Sequence, residues 1–194
     1  MAAASLSRPL ILETLPQQRG YRIAAQLFAA LAGSIILALS SKFSVPFWPV
    51  PMTLQVLAVF LIGAAFGRNL AFATVVLYLA EGVAGLPVFA GGGGAAYLLG
   101  PTGGYLVGFV FAAYVAGWAA EKGFDRQPLK LLAAMLVGEV IILGLGAAWL
   151  AVLLGTEKAL TFGIGPFIVT DLVKIALAVA IVTGVRGLTG HYRG

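Results

Sequence analysis

Four ionisable residues lie inside or at the ends of long apolar stretches of this 194-residue chain: Glu81, Glu139, Asp171 and Lys174. A charged Asp or Lys at the centre of a membrane helix costs about 2.5 to 3.5 kcal/mol on insertion scales, so such side chains usually face a protein interior or a cavity. Asp171 and Lys174 are three residues apart and therefore share one helical face. The pair indicates a site for a polar ligand, and a neutralising ion pair between packed helices is the alternative.

The two glutamates have less specific surroundings. Glu139 lies near the middle of its apolar stretch without an obvious partner in the nearby sequence, so a protonated, a hydrogen-bonded and a cavity-lining side chain all remain open. Glu81 lies close to the outer end of its stretch, where exposure to lipid headgroups is the simpler interpretation. Neither residue is predicted to contact a ligand.

Several other chemistries have no basis in the sequence. The chain has no cysteine, and its one histidine is His191 in the polar tail, so disulfides, thiolate chemistry and a histidine-based metal site are not expected. No nucleophile with a matching base is evident, and there is no G-x-x-x-x-G-K-[ST] phosphate-binding loop. We therefore predict neither an enzyme nor an ATPase, and we expect no cofactor and no bound metal.

The elements that position these residues are membrane helices. The composition is 61% hydrophobic and 10% charged, far outside the range of soluble proteins. A helix needs about 20 apolar residues to cross a bilayer, and the apolar runs lack the alternation of a transmembrane barrel. Six runs qualify, at about 21–41, 51–67, 69–86, 103–121, 129–154 and 165–185. The sequence predicts an all-α fold with six transmembrane helices in one compact bundle.

The basic residues orient this bundle. Most of the 12 Lys and Arg residues fall on one side of the six predicted helices: Arg8, Arg19, Arg22, Arg68, Lys122, Arg126, Lys130, Arg186 and Arg193. Only Lys42 and Lys158 fall on the other side, and Lys174 lies within the sixth helix. The positive-inside rule places both termini in the cytoplasm. It also attributes the basic pI of about 9.8 to membrane topology rather than to nucleic-acid binding.

One domain is expected. Residues 1–20 are a predicted cytoplasmic N-terminal segment that needs no cleaved signal peptide, 21–187 form the membrane domain, and 188–194 are a cytoplasmic tail. The predicted location is the cell membrane, as a multi-pass protein.

Glycine and proline are concentrated in two outer loops. The segment "GPTGG" from residue 100 opens the fourth helix, with Thr102 as a candidate N-cap, and "GGGG" at 91–94 precedes it. The second, fourth and sixth helices begin on the outer side, so their positive dipole ends favour an anion there. A second loop, "SVPFWPVPMTLQ" at 44–55, leads into a short helix, a pattern that often marks a binding site. These loops predict a binding lid, although packing and ordinary turns explain single glycines equally well.

The motifs "VPMTLQ", "GLPVFAGG", "GPTGGYLVGF" and "DLVK" occur in the order found in the BioY family, the biotin-specific S components of energy-coupling-factor transporters. The chain resembles this family from about residue 21 onward. The resemblance implies a six-helix protein that captures biotin from outside with high affinity. It also implies a transmembrane coupling protein and two ATPase subunits as partners. The S component is then expected to reorient in the membrane to release biotin.

The matching Asp-x-x-Lys implies that Asp171 and Lys174 bind biotin, and the other site residues are carried over more loosely. Asp171 suits the ureido N–H groups, while Lys174 suits either the carboxylate or the ureido carbonyl. Trp48 is a candidate for ring stacking or for an interface anchor. The full predicted site is Trp48, Thr53, Gln55, Phe89, Gly91, Gly92, Tyr97, Tyr105, Asp171 and Lys174.

Two alternatives to biotin uptake stay open. One is an S component for another vitamin. The other is an ion-coupled secondary transporter that uses Glu139 and Asp171 as proton or cation sites.

A partner surface is predicted on the first helix. Ala25, Ala29 and Gly33 recur every four residues and form a smooth stripe suited to close helix contact. The resemblance implies that this helix meets the coupling protein. Packing of the same stripe within the chain is the alternative.

Overall fold

The computed structural model of the chain describes residues 18–191, so most of the predicted N-terminal segment, including Arg8, and the last residues of the tail, including Arg193, lie outside the described residues. The helices are α1 (Arg19–Lys42), α2 (Gln55–Phe66), α3 (Arg68–Val83), α4 (Ala95–Leu98), α5 (Gly103–Glu121), α6 (Pro128–Leu154), α7 (Thr156–Gly163) and α8 (Gly165–His191). Two short strands, β1 (Ser44–Val45) and β2 (Met52–Thr53), and a 3₁₀ turn at Phe124–Arg126 complete the described elements.

Each of the six predicted apolar runs contains a helix. Four segments of the described chain are long and apolar enough to cross a membrane: Arg19–Lys42, Gly103–Glu121, Pro128–Leu154 and Thr156–Leu188. The second helix begins at Gln55 rather than at residue 51, because Met52–Thr53 pairs with Ser44–Val45 in an antiparallel hairpin. The hydroxyl of Thr53 accepts a hydrogen bond of 3.2 Å from the backbone N–H of Gln55 and so helps to start the helix.

Small residues bring the helices close together around α5. Helix α5 packs against α2, α3 and α6, while α8 packs on α2 and α6. A Cβ atom added to Gly63 would lie 2.7 Å from Ala116 Cβ, and one added to Gly108 would lie 2.7 Å from Ile142 Cα. Both distances are shorter than normal contacts, so glycine is needed where α2 and α6 cross α5.

The two ends of the bundle differ in chemistry. At one end the segments 43–54, 84–102 and 155–164 meet, and we call this the cavity end. At the opposite end, Glu121 accepts a hydrogen bond of 3.0 Å from the backbone N–H of Arg68 and forms an ion pair of 3.2 Å with its side chain. Also at that end, Asp125 and Arg186 form a buried ion pair that joins the 3₁₀ turn to α8. No local pattern predicts this pair, because the partners are 61 residues apart.

Helix α1 packs on α3 through part of its small-residue stripe. Ala29 and Gly33 are buried, and a Cβ atom added to Gly33 would lie 2.6 Å from Thr74 Cγ2. Ala25 is half-buried. Packing within the chain therefore accounts for Ala29 and Gly33, and a partner contact of the stripe stays a prediction.

Candidate ligand-binding cavity

Asp171 and Lys174 meet on α8 as their spacing predicts. Lys174 Nζ donates a hydrogen bond of 2.7 Å to Asp171 Oδ1. Asp171 is 1% exposed, while Lys174 is half-buried. Both side chains line a cavity at the cavity end, which we call the main cavity. The buried carboxylate can accept hydrogen bonds from donors on a ligand. The ammonium beside it can donate hydrogen bonds to acceptors on the same ligand.

The main cavity and its open mouth together comprise about 510 Å³ of empty space. Seven of the ten predicted site residues line it: Thr53, Gln55, Phe89, Tyr97, Tyr105, Asp171 and Lys174. Much of the remaining wall is apolar, from Val56, Leu106, Phe109, Ile142, Leu143 and Phe167. The arrangement suits a ligand with an apolar body and a few polar groups.

A chain of hydrogen bonds orients Gln55 at the start of α2. Its Nε2 donates to the hydroxyl of Tyr78 at 2.8 Å, and that hydroxyl donates to the carbonyl of Val88 at 3.1 Å. The Thr53 hydroxyl donates to Gln55 Oε1 at 3.3 Å. Tyr78 is fully buried and was not predicted from sequence, because nothing local links it to a loop ten residues later. It positions both the amide and the loop.

Phe89 forms an aromatic wall of the cavity. Its ring is fully buried, stacks on Tyr97 at 5.1 Å between centroids, and meets the edge of Tyr78 at 5.4 Å. A side chain at Gly82 would overlap the Phe89 ring, so glycine on α3 makes room for it. The backbone N–H of Phe89 donates to Gly92 O at 2.8 Å, which closes the loop.

Tyr105 joins α5 to the start of α8. Its hydroxyl donates a buried hydrogen bond of 2.8 Å to the carbonyl of Gly163, and its ring lies 5.9 Å from that of Phe167. A side chain at Gly146 would overlap the Tyr105 ring. Tyr105 therefore fixes the cavity wall at the point where α7 gives way to α8.

Three predicted residues do not line the main cavity. Trp48 is 64% exposed and meets Phe162 edge-on at 6.1 Å between centroids, an arrangement that fits the interface-anchor alternative. Gly91 lines a neighbouring opening, and Gly92 has a φ of +132° in the turn paired with Phe89. Glycine is favoured there by its backbone conformation. Ligand contact by these three stays a prediction.

Two other residues, Thr102 and Glu81, are not among the ten predicted site residues. Thr102 occupies the N-cap position of α5 but makes no capping side-chain hydrogen bond. Glu81 is half-buried and accepts a hydrogen bond of 3.1 Å from Ser34, so it links α3 to α1, and its exposure to headgroups stays a prediction. Within the described residues, no cluster of three or more His, Cys, Asp or Glu side chains could hold a metal ion.

Glu139 lies behind the Asp171–Lys174 pair. It is 6% exposed and interacts electrostatically with both residues. Ile142 and Leu143 of the same helix line the main cavity, whereas Glu139 does not.

Comparisons with known proteins agree on one family. The model of the BioY family matches residues 14–190. A probable biotin transporter BioY of Pyrococcus horikoshii is 41% identical over 164 residues, covering 84% of this chain and 94% of the relative. The biotin transporter BioY of Thermotoga maritima is 38% identical over 165 residues, covering 84% and 96%. A crystal structure described as the S-component for biotin from an ECF-type ABC transporter matches with a TM-score of 0.77 and 25% identity, covering 89% and 95%.

Proposed function

This chain belongs to the BioY family, and we propose that it captures biotin in the main cavity and mediates biotin uptake as the S component of an ECF transporter. It is a membrane transport protein and not an enzyme. The assignment of the site is supported by one observation. Asp171, Lys174 and Gln55 line the same cavity as three aromatic side chains.

The chemistry of biotin matches this lining. Its ureido N–H groups can donate hydrogen bonds to the buried carboxylate of Asp171. Its apolar bicyclic body fits between the rings of Phe89, Tyr97 and Tyr105. The amide of Gln55 is held by Tyr78 and Thr53, so its position is set before the ligand arrives.

The proposed topology has six transmembrane helices, α1, α2, α3, α5, α6 and α8, with the cavity end outside the cell. The distribution of charge supports this orientation, because Lys42 and Lys158 lie at the cavity end, whereas Arg68, Lys122 and Arg186 lie at the opposite end. Both termini are then cytoplasmic, flanking a single membrane domain at 21–187. The 12-residue α2 spans about 18 Å, so the hairpin before it completes the crossing.

Energy must come from other subunits, because the chain has no phosphate-binding loop motif. We propose a transmembrane coupling protein and two ATPase subunits as the partners, in keeping with the ECF type of the matched S-component.

Equilibrium binding of biotin to the purified, detergent-solubilised chain tests the function, with thiamine and riboflavin as controls. Selective biotin binding without ATP or an added coupling cation is expected. Equal affinity for the three vitamins would contradict the substrate, and a strict requirement for a cation such as Na⁺ would favour the secondary-transport alternative.

A further inference from the structure

Among the openings lined by described residues, two share residues with the main cavity. One has a volume of about 800 Å³ and shares Pro51, Ala90, Tyr97 and Thr102 with the main cavity; we call it the neutral opening. The other, of about 810 Å³, shares Thr53 and Lys174 with the main cavity and is bounded by Lys42 at the end of α1. We call it the lysine opening. A ligand longer than the main cavity would extend into one of the two.

The lysine opening has the chemistry of an anion site. Its lining contains two lysines, Lys42 and Lys174, and three hydroxyl-bearing residues, Ser44, Thr53 and Thr170, and no Asp or Glu of residues 18–191 lines it. An ammonium has three donors. Among the described residues, Lys42 uses one of them on the carbonyl of Phe89 at 2.6 Å, and Lys174 uses one on Asp171. Donors on both side chains therefore remain for a ligand.

The neutral opening is less suited to an anion. No charged side chain from the described part of the chain lines it, and its positive potential comes from the start of α5 beside Gly100 and Thr102. A helix N-terminus is equivalent to about half a unit charge, whereas the lysine opening offers two whole charges. An anionic ligand group is therefore stabilised more strongly in the lysine opening.

We propose that the lysine opening is a carboxylate subsite, in which Lys42 and Lys174 hold the carboxylate of biotin while its rings occupy the main cavity. This inference rests on the proposed function. Thr53 and Lys174 form the boundary between the two spaces, so the aliphatic chain of biotin passes beside them. Lys174 then meets the carboxylate, and Asp171, which lines only the main cavity of the two, is left to the ureido group.

Lys42 also has a structural contact, which the test must separate from ligand binding. Its bond to the carbonyl of Phe89 holds the loop that carries an aromatic wall. Loss of that bond would weaken the binding of any ligand that uses the wall, whether the ligand is charged or not. Loss of a carboxylate contact would weaken only the binding of a charged ligand.

The experiment compares biotin with its uncharged primary amide, biotinamide, by equilibrium binding to the full chain in detergent. The variants are Lys42→Met, Lys42→Arg and, as a matched control, Lys158→Met, which removes an exposed lysine of α7 that lines neither opening. Lys42→Met should weaken biotin binding about tenfold or more beyond its effect on biotinamide binding, as for loss of one charged hydrogen bond, because the lost contact with Phe89 affects both ligands equally. Lys42→Arg should retain most of the affinity, and Lys158→Met should match the wild type.

Equal losses for biotin and biotinamide would overturn the subsite and assign Lys42 to loop support alone. Wild-type affinity of Lys42→Met for biotin would overturn it as well. Binding of neither ligand by the folded wild-type chain would instead contradict the proposed function itself. Retained biotinamide binding by Lys42→Met shows in the same sample that the variant is folded.

Discussion

Lys174 donates a 2.7 Å hydrogen bond to Asp171 from one turn further along α8, and both side chains line the main cavity. The two groups neutralise each other, which offsets part of the cost of placing charge within the bundle. A ligand can replace this contact by donating a hydrogen bond to Asp171 and accepting one from Lys174. Both charged groups then keep a polar partner. The pair therefore serves both stability and recognition.

Asp171→Asn and Lys174→Met should each weaken biotin binding about tenfold to a hundredfold, because a hydrogen bond to a charged group contributes roughly 1.5 to 3 kcal/mol. Titration calorimetry on the solubilised chain measures the effect. Glu157→Gln, which alters an exposed charge on α7, is the control. Unchanged biotin affinity in both site variants would remove the pair from the binding site.

Gly82→Ala should lower both biotin affinity and thermal stability. The added methyl group overlaps the ring of Phe89, and overpacking of this kind typically costs about 1 to 3 kcal/mol. Gly144→Ala is the matched control, since that helical glycine has open space around its Cβ position. Thermal unfolding and biotin titration of the two variants should diverge, and identical behaviour would show that Phe89 relaxes without consequence.

Asp125→Asn should reduce thermal stability sharply while the folded protein keeps its affinity for biotin. Removing one partner of a buried ion pair costs about 3 to 5 kcal/mol, because its charge no longer offsets the desolvation of the other charge. The pair lies at the end of the bundle opposite the cavity, so ligand contacts are untouched. Arg126→Gln, which changes the exposed neighbour in the same turn, should unfold like the wild type. A large fall in biotin affinity in Asp125→Asn would mean that the two ends are coupled.

Ala25→Leu should leave biotin binding intact and reduce recovery of the complex with co-expressed coupling and ATPase subunits. Ala25 is the half-buried member of the stripe, whereas enlarging Gly33 would drive a methyl group against Thr74 and disturb the fold itself. Co-purification yield, compared with that of Leu39→Ala on the same helix, measures assembly. A normal yield with Ala25→Leu would place the docking surface elsewhere.

Hydropathy predicted a helix in every apolar run, because length and apolar content dominate the free energy of membrane insertion. It misplaced the start of α2, where the pairing of Met52–Thr53 with Ser44–Val45 competes with helix formation. The short helices α4 and α7 were also missed, since neither has the length of a membrane span.

Much of the candidate site followed from local motifs, but its supporting contacts did not. Asp171 and Lys174 are adjacent on one helix, so their spacing alone predicts their contact. Tyr78, Lys42 and Gly82 act on the loop around Phe89 through contacts that only the folded chain creates. The charge of Lys42 indicates only the side of the membrane on which it lies. No local pattern predicts its hydrogen bond to a carbonyl 47 residues away.

Side-chain hydrogen bonds hold the loop before α4 at two consecutive backbone carbonyls, those of Val88 and Phe89. The carbonyl of Val88 accepts hydrogen bonds from Ser41 and Tyr78, and that of Phe89 accepts one from Lys42. One inserted residue would move these carbonyls out of reach of donors on two different helices at once. Evolutionary drift in this segment should therefore proceed by replacement of side chains at constant length, whereas the exposed connection around Gly155 is free to grow or shrink.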